Sequence, residues 1–199
     1  MRIFYLLAMA ASLYGADTRP VIVCFGDSLT AGFGLDAGQS YPDLLQRELD
    51  RRGYRYRVEN LGANGDTTQD GLARLSLALE LKPAIVVLEL GANDGLRGQP
   101  VSGIEHNLDQ IIQTFQKARL SVLLVGIRLP PNYGPDYIKQ FAAIYPALAT
   151  KHKLRLLDFL LAGVAGNPQL MQQDGLHPNA EGTRIVAATV FKALMPMLK

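Results

Sequence analysis

Ser28, Asp174 and His177 are side chains of the types that nucleophilic catalysis requires, and their surroundings in the chain bear on whether they meet. Ser28 lies in Gly26-Asp27-Ser28-Leu29-Thr30, directly after the apolar run Val21–Phe25. A serine at a strand end that opens a helical turn projects its hydroxyl outward, and its own N–H is an unpaired helix-start donor. Taken alone, the segment reads more simply as a turn glycine followed by a helix cap. The C-terminal Asp174-Gly-Leu-His177-Pro178 alters that balance. A serine nucleophile needs a base, and the base needs a carboxylate to hold its tautomer and stabilise the imidazolium. Residues three apart on one helical turn are neighbours, so Asp174 can reach His177. Pro178 disfavours helix at the residue before it and ends the turn there. A surface aspartate and an unrelated loop histidine is the other reading of this pair.

A tetrahedral intermediate also needs preorganised donors around its oxyanion. Gly65, in Asn60-Leu-Gly-Ala-Asn-Gly65-Asp66-Thr67, and Asn93, in Glu89-Leu-Gly-Ala-Asn93-Asp94-Gly95, are candidates alongside the Ser28 N–H. Each segment by itself is also a plausible turn. The four plain readings must hold together to remove the constellation.

These residues sit at regular places in the chain. Val21–Phe25, Ala84–Leu88 and Ser121–Val125 are continuous apolar runs, as expected of parallel strands covered on both faces; Arg55–Asn60 is a weaker strand and Leu154–Leu157 a short fifth. Between them run helical stripes. These are Leu45 and Leu49; Leu72, Leu75 and Leu79; Ile104 through Phe115; Ile138, Phe141, Tyr145 and Leu148; and Val186, Val190 and Leu194. Alternating strands and helices predict a three-layer α/β domain with right-handed crossovers, and the Ser28, Gly65 and Asn93 loops then share the carboxyl end of the sheet, where open α/β sheets bind ligands. The longest irregular segment is expected at Arg128–Pro135, after the fourth strand.

Composition narrows the alternatives. The 199 residues are 48% hydrophobic and 19% charged, which excludes disordered, collagenous and coiled-coil classes. A net charge of +2 with no basic block gives a nucleic-acid partner little support. One cysteine, Cys24, and three scattered histidines rule out a disulfide framework and a cysteine- or histidine-based metal cage. Arg2, an apolar run from Ile3 to Tyr14, and Gly15-Ala16 follow the order of a secretory signal, with a first core strand or buried helix as the other reading. The expectation is a signal peptide over residues 1–16, a single domain over 17–199, and a periplasmic or secreted location. No stretch is long enough to span a bilayer.

The blocks Gly26-Asp27-Ser28-Leu29, Gly65, Gly91-Ala-Asn93-Asp94 and Asp174-Gly-Leu-His177 together resemble those of the SGNH (GDSL) hydrolases, in that family's order, from about Arg19 to the C-terminus. Asn64-Gly-Asp-Thr67, Glu89–Gly98 and Arg128–Gly134 are similar to its periplasmic acyl-CoA thioesterase/lysophospholipase/arylesterase branch. The resemblance implies a flavodoxin-like five-stranded parallel sheet of order 2-1-3-4-5. It implies Ser28 as nucleophile, His177 as base, Asp174 as its orienter, and Ser28, Gly65 and Asn93 as the oxyanion hole. The segments Leu96–Gly103 and Leu129–Tyr133 are expected to lie along the acyl chain, with Asp27, Leu96, Pro130 and Tyr133 as substrate-binding residues. No Gly-x-Ser-x-Gly elbow is present, which disfavours an ordinary α/β-hydrolase.

The function expected is hydrolysis of acyl, aryl or thioesters through an acyl-enzyme, by a monomer acting on a small-molecule ester without cofactor or metal. The alternatives are a carbohydrate O-deacetylase of the same family and a non-catalytic protein whose glycine-rich loops hold an anion.

Overall fold

The computed structural model describes residues 17–199, and the expected signal peptide over 1–16 lies outside the described residues. The sheet has five parallel strands: β1 (Val21–Gly26), β2 (Arg57–Gly62), β3 (Ile85–Glu89), β4 (Ser121–Val125) and β5 (Arg155–Leu157), in the order β2-β1-β3-β4-β5. Every residue of β1 and β3 is buried, which is why both read as unbroken apolar runs rather than alternating ones. The helices are α1 (Ser28–Ala31), α2 (Tyr41–Arg51), α3 (Thr68–Ala73), α4 (Leu75–Glu80), α5 (Ala92–Leu96), α6 (Val101–Lys117), α7 (Pro135–His152) and α8 (Ala180–Leu194).

Helices α2 and α8 pack together on one side of the sheet, while α6 packs between α3 and α7 on the other. The faces they bury are those of the sequence stripes: Leu45 and Leu49 on α2, Ile104 through Phe115 on α6, Phe141, Tyr145 and Leu148 on α7, and Val186, Val190 and Leu194 on α8. Phe25 of β1 meets Phe115 of α6 edge-on, with ring centroids 5.8 Å apart. Truncating either ring to alanine would cost about 3–5 kcal/mol.

Capping sets where the helices start. Ser40 and Asp43 form a reciprocal capping box at α2, Thr67 and Asp70 do the same at α3, and the Asn179 side chain accepts from Glu181 and Gly182 at the start of α8. A cap of this kind contributes about 1 kcal/mol.

Two expectations are corrected. The stripe Leu72, Leu75 and Leu79 does not form one helix, because the chain breaks at Arg74 between α3 and α4. The Arg74 guanidinium reaches back to the carboxyl edge of the sheet, donating to Asp66, to the Leu61 carbonyl and to the Gly26 carbonyl while covering the Phe25 ring. These long-range contacts outweigh local helical period. The longest irregular segment is not Arg128–Pro135, part of which winds into a 3₁₀ turn over Pro131–Tyr133. It is residues 158–179, between β5 and α8, which hold no helix or strand beyond one isolated bridge from Met171 to Pro178.

Candidate active site

Strand register decides where the chemistry gathers. Gly26 at the end of β1 pairs with Gly62 on one side and Glu89 on the other, so the loops carrying Ser28, Gly65 and Asn93 leave the sheet side by side. Ser28 is the first residue of α1, and Asp27 caps it by accepting from the Leu29 N–H at 2.9 Å. Gly26 has no room for a side chain: a Cβ there would come within 2.6 Å of both the Glu89 carbonyl and its carboxyl Oε2. Helix α1 lasts one turn and closes on Gly32 in the left-handed region (φ 83°), which leaves Ser28 on a short, tightly bounded element.

The histidine arrives from the far end of the chain. Ser28 Oγ lies 2.8 Å from His177 Nε2, and His177 Nδ1 lies 2.6 Å from Asp174 Oδ2. A carboxylate facing Nδ1 places the ring proton there, leaving the Nε2 lone pair to accept from the serine hydroxyl. The pair does not sit on the helical turn expected from its spacing. Asp174 Oδ1 instead accepts from the backbone N–H groups of Leu176 and His177, at 2.9 and 3.0 Å, and folds the loop around its own side chain. This suits aspartate, whose short carboxylate mimics a backbone turn. Burial works to raise the Asp174 carboxyl, but the donors of His177 and Leu176 prevail and hold it below its ordinary value.

Two residues outside the sequence expectations hold this loop in register. The Gln172 side chain donates to the carbonyls of Phe33 and Pro178, at 2.7 and 3.0 Å, and its backbone N–H donates to the His177 carbonyl at 2.8 Å. It ties the segment after α1 to the histidine loop. The exposed Phe33 ring leans on the His177 ring, with centroids 4.7 Å apart. Neither residue belongs to a motif, and only their nearness in sequence to Ser28 and His177 marked them.

Asn93 lies in the first turn of α5, and its amide donates to the Asp66 carbonyl at 2.9 Å and toward Asp27 Oδ2 at 3.4 Å. Asp94 anchors the same turn to α3 by accepting from the Thr68 N–H and hydroxyl, at 2.8 and 2.6 Å. Gly65 occupies the turn before α3 with φ 83°, a conformation that L side chains resist, and its carbonyl accepts from Arg97. Among the described residues, the backbone N–H groups of Ser28 and Gly65 have no hydrogen-bond acceptor.

Ser28, Asn93 and His177 line a cavity of about 460 Å³. Leu96, Leu129 and Pro130 line it. Of the stretch Leu96–Gly103, Leu96 alone reaches the cavity. Tyr133 does not line it, and its hydroxyl instead donates to the Leu96 carbonyl at 2.9 Å, fixing the wall from behind. Asp27 is fully buried and lies behind the site rather than on its surface, because its carboxylate is taken up by the α1 cap. Further lining comes from residues the sequence did not suggest: Phe159, Leu161, Ala165 and Met171, all in the irregular 158–179 segment. With apolar walls and a serine–imidazole–carboxylate line at its edge, the cavity suits transfer of an apolar acyl group to Ser28.

The GDSL-like lipase/acylhydrolase family matches residues 24–185. Esterase TesA of Pseudomonas aeruginosa is 45% identical over 193 residues, covering 96% of this chain and 96% of its own. Thioesterase 1/protease 1/lysophospholipase L1 of Escherichia coli is 40% identical over 195 residues, covering 98% of this chain and 91% of its own. The crystal structure of the psychrotrophic esterase EstA from Pseudoalteromonas sp., inhibited by monoethylphosphonate, superposes with a TM-score of 0.85 at 34% identity, covering 89% of this chain and 97% of that one.

Proposed function

The chain belongs to the GDSL-like lipase/acylhydrolase family and hydrolyses esters, and we propose that it does so with Ser28 as nucleophile, His177 as general base and acid, and Asp174 as the group that orients His177. The observation that carries this assignment is the continuous line from Ser28 Oγ to His177 Nε2 (2.8 Å) and from His177 Nδ1 to Asp174 (2.6 Å) beside an apolar cavity. Ser28 attacks the acyl carbonyl as its proton passes to Nε2. The resulting oxyanion takes hydrogen bonds from the N–H groups of Ser28 and Gly65 and from the Asn93 amide. Asp174 stabilises the imidazolium, which then protonates the departing alkoxide. Water activated by the same imidazole releases the acid and restores Ser28.

The substrates we assign are esters and thioesters of apolar acyl chains, including lysophospholipids and aryl esters. The apolar walls formed by Leu96, Leu129, Pro130, Phe159 and Leu161 support this class, as do the esterase and thioesterase/lysophospholipase names of its relatives. Of the residues expected to bind substrate, Leu96 and Pro130 keep that role. Tyr133 positions Leu96, and Asp27 acts from beneath the site. The Arg2-led apolar run over residues 3–14 supports export of the enzyme.

A fluorophosphonate probe should label the folded protein, and neither Ser28→Ala nor denatured protein should react. In parallel, a panel of acyl esters from C2 to C16 should show turnover of medium or long chains. Absence of labelling in folded protein would remove the nucleophile assignment, and turnover confined to C2 esters and acetylated sugars would move the substrate class to carbohydrate deacetylation.

A further inference from the structure

Directly beneath the nucleophile lies a pair of carboxyl groups that the reaction scheme above does not use. Glu89, the last residue of β3, and Asp27, the residue before Ser28, are both 0% exposed. Glu89 Oε2 accepts from the Thr30 hydroxyl at 2.7 Å and from the Asp27 backbone N–H at 3.3 Å. Its other oxygen, Oε1, is buried and has no hydrogen-bond partner. Among the described residues no lysine, arginine or histidine forms an ion pair with either carboxyl, and the nearby Arg74 is committed to Asp66 and two carbonyls. Two adjacent buried carboxyls without a cation cannot both ionise, since each charge raises the cost of the other.

The surroundings decide which of the two keeps the proton. Glu89 faces Asp27 from the β1–α1 turn, Thr30 from α1 and Tyr41 from α2, with Cys24 of β1 behind Tyr41. Burial first, and then the Asp27 charge, push the Glu89 carboxyl well above its ordinary value despite its two donors. Asp27 faces Glu89, Asp66 and His177, and burial raises it only to about 6, because the hydrogen bonds from the Leu29 N–H and from Glu89 work the other way.

We propose that Glu89 is a neutral carboxylic acid when the enzyme is active, that its Oε1–H donates to the Asp27 carboxylate, and that the pair positions the Ser28 helix start and the Asn93 amide. The geometry gives each oxygen a task. Asp27 Oδ1 holds the α1 N-terminus through Leu29, while Oδ2 faces the Asn93 amide at a long 3.4 Å. One Asn93 hydrogen is held by the Asp66 carbonyl at 2.9 Å, and an Asp27 anion satisfied by Glu89 has no need to draw the second one closer, so that second hydrogen stays available to an oxyanion. Without that donor, Asp27 would take the amide for itself. Gly26 is part of the same arrangement, since any side chain there would displace the Glu89 carboxyl. Glu89 and Asp27 are thus positioning residues, acting through Asn93 and Ser28.

The positioning role rests on the assignment of Ser28 and Asn93 to the reaction; the protonation of Glu89 does not, and the experiment separates the two. Infrared difference spectra of wild-type enzyme near pH 7.5 should show a protonated-carboxyl carbonyl stretch. That band should shift in D2O and again when glutamate carboxyls carry ¹³C. Absence of a ¹³C-glutamate-sensitive band would overturn the proposal outright, whatever any variant does. In the variants, Glu89→Ala should lower kcat about tenfold or more with KM within about twofold, a smaller loss than deleting an oxyanion donor. Glu89→Gln, whose amide N–H can replace the acid O–H, should recover kcat to within about threefold of wild type. A Glu89→Gln enzyme as slow as Glu89→Ala, or a change confined to KM, would overturn the positioning role.

Discussion

Replacing Asp174 by asparagine preserves the shape of the side chain and reverses the hydrogen-bonding sense of one of its two terminal atoms. In the wild type Oδ1 accepts from the Leu176 and His177 N–H groups and Oδ2 faces His177 Nδ1, so both ends of the carboxylate are acceptors. Asparagine has one acceptor and one donor, and cannot serve both. If its oxygen stays with the backbone N–H groups, its NH2 faces Nδ1 and drives the ring proton to Nε2, where it meets the Ser28 hydroxyl as a second donor. If the amide flips, two backbone N–H groups lose their acceptor. Losing the charge-assisted bond to the imidazolium costs about 1.5–3 kcal/mol, and the unsatisfied or mispaired group about 1–3 kcal/mol more. The sum, about 2.5–6 kcal/mol, corresponds to roughly two to four decades in kcat at 1.36 kcal/mol per decade. Steady-state hydrolysis of a chromogenic acyl ester would measure it, with KM expected to stay within about threefold because Asp174 does not line the cavity. Thermal unfolding should change little if the amide oxygen stays with the Leu176 and His177 N–H groups, and Tm should fall by several degrees if the amide flips. An Asp174→Asn enzyme that retained more than a tenth of wild-type kcat would refute the assignment of Asp174 as the orienting group.

Two other substitutions probe the donors and the buried charge. Asn93→Ala should lower kcat about 10²–10³-fold with little change in KM, as for loss of an oxyanion donor. A KM effect with kcat preserved would place Asn93 in ground-state binding instead. Asp27→Asn should make the protein more stable at neutral pH while slowing it. The Asp27 carboxyl titrates at about 6 when folded against an ordinary 3.8, so the folded state resists its ionisation. The resulting penalty is absent below about pH 4, grows as pH rises toward 6 and is complete above that, on the order of 3 kcal/mol. Asparagine keeps the acceptor for the Leu29 N–H without the charge, so the gain in Tm over wild type should be clear at pH 8 and should fade at pH 4. Equal Tm differences at both pH values would contradict the buried-charge reading.

The two halves of the structure were unequally legible in the sequence. Val21–Phe25 and Ala84–Leu88 announced central strands because both of their faces are covered, and Ser121–Val125 matched its strand to the residue. Strand order followed from family resemblance rather than from apolar pattern, since nothing in the composition of Arg57–Gly62 says that it pairs with β1. The Leu72–Leu79 stripe misled because helical period does not register a guanidinium drawn to the sheet edge at Arg74. Residues 158–179 carry no period at all, so their contribution of Phe159, Leu161, Ala165 and Met171 to the cavity was invisible. Glu89 did leave a trace, as a single acid closing an otherwise apolar strand.

Local chemistry is written residue by residue. Glycine where a carboxyl crowds the backbone, serine at a helix start, and an aspartate three residues before a histidine each follow from short-range geometry, and the sequence alone determined them. The meeting of Ser28 with His177, 149 residues apart, depends on the register that sets Gly26 beside Gly62 and Glu89, and on Gln172 joining the two loops. The burial of Asp27 likewise emerged only once the layers had closed over it. Distance in space and exclusion of water are properties of the packed whole, and these bring a hydroxyl, an imidazole and a carboxyl to one point and hold a second pair of carboxyls out of solvent beneath them.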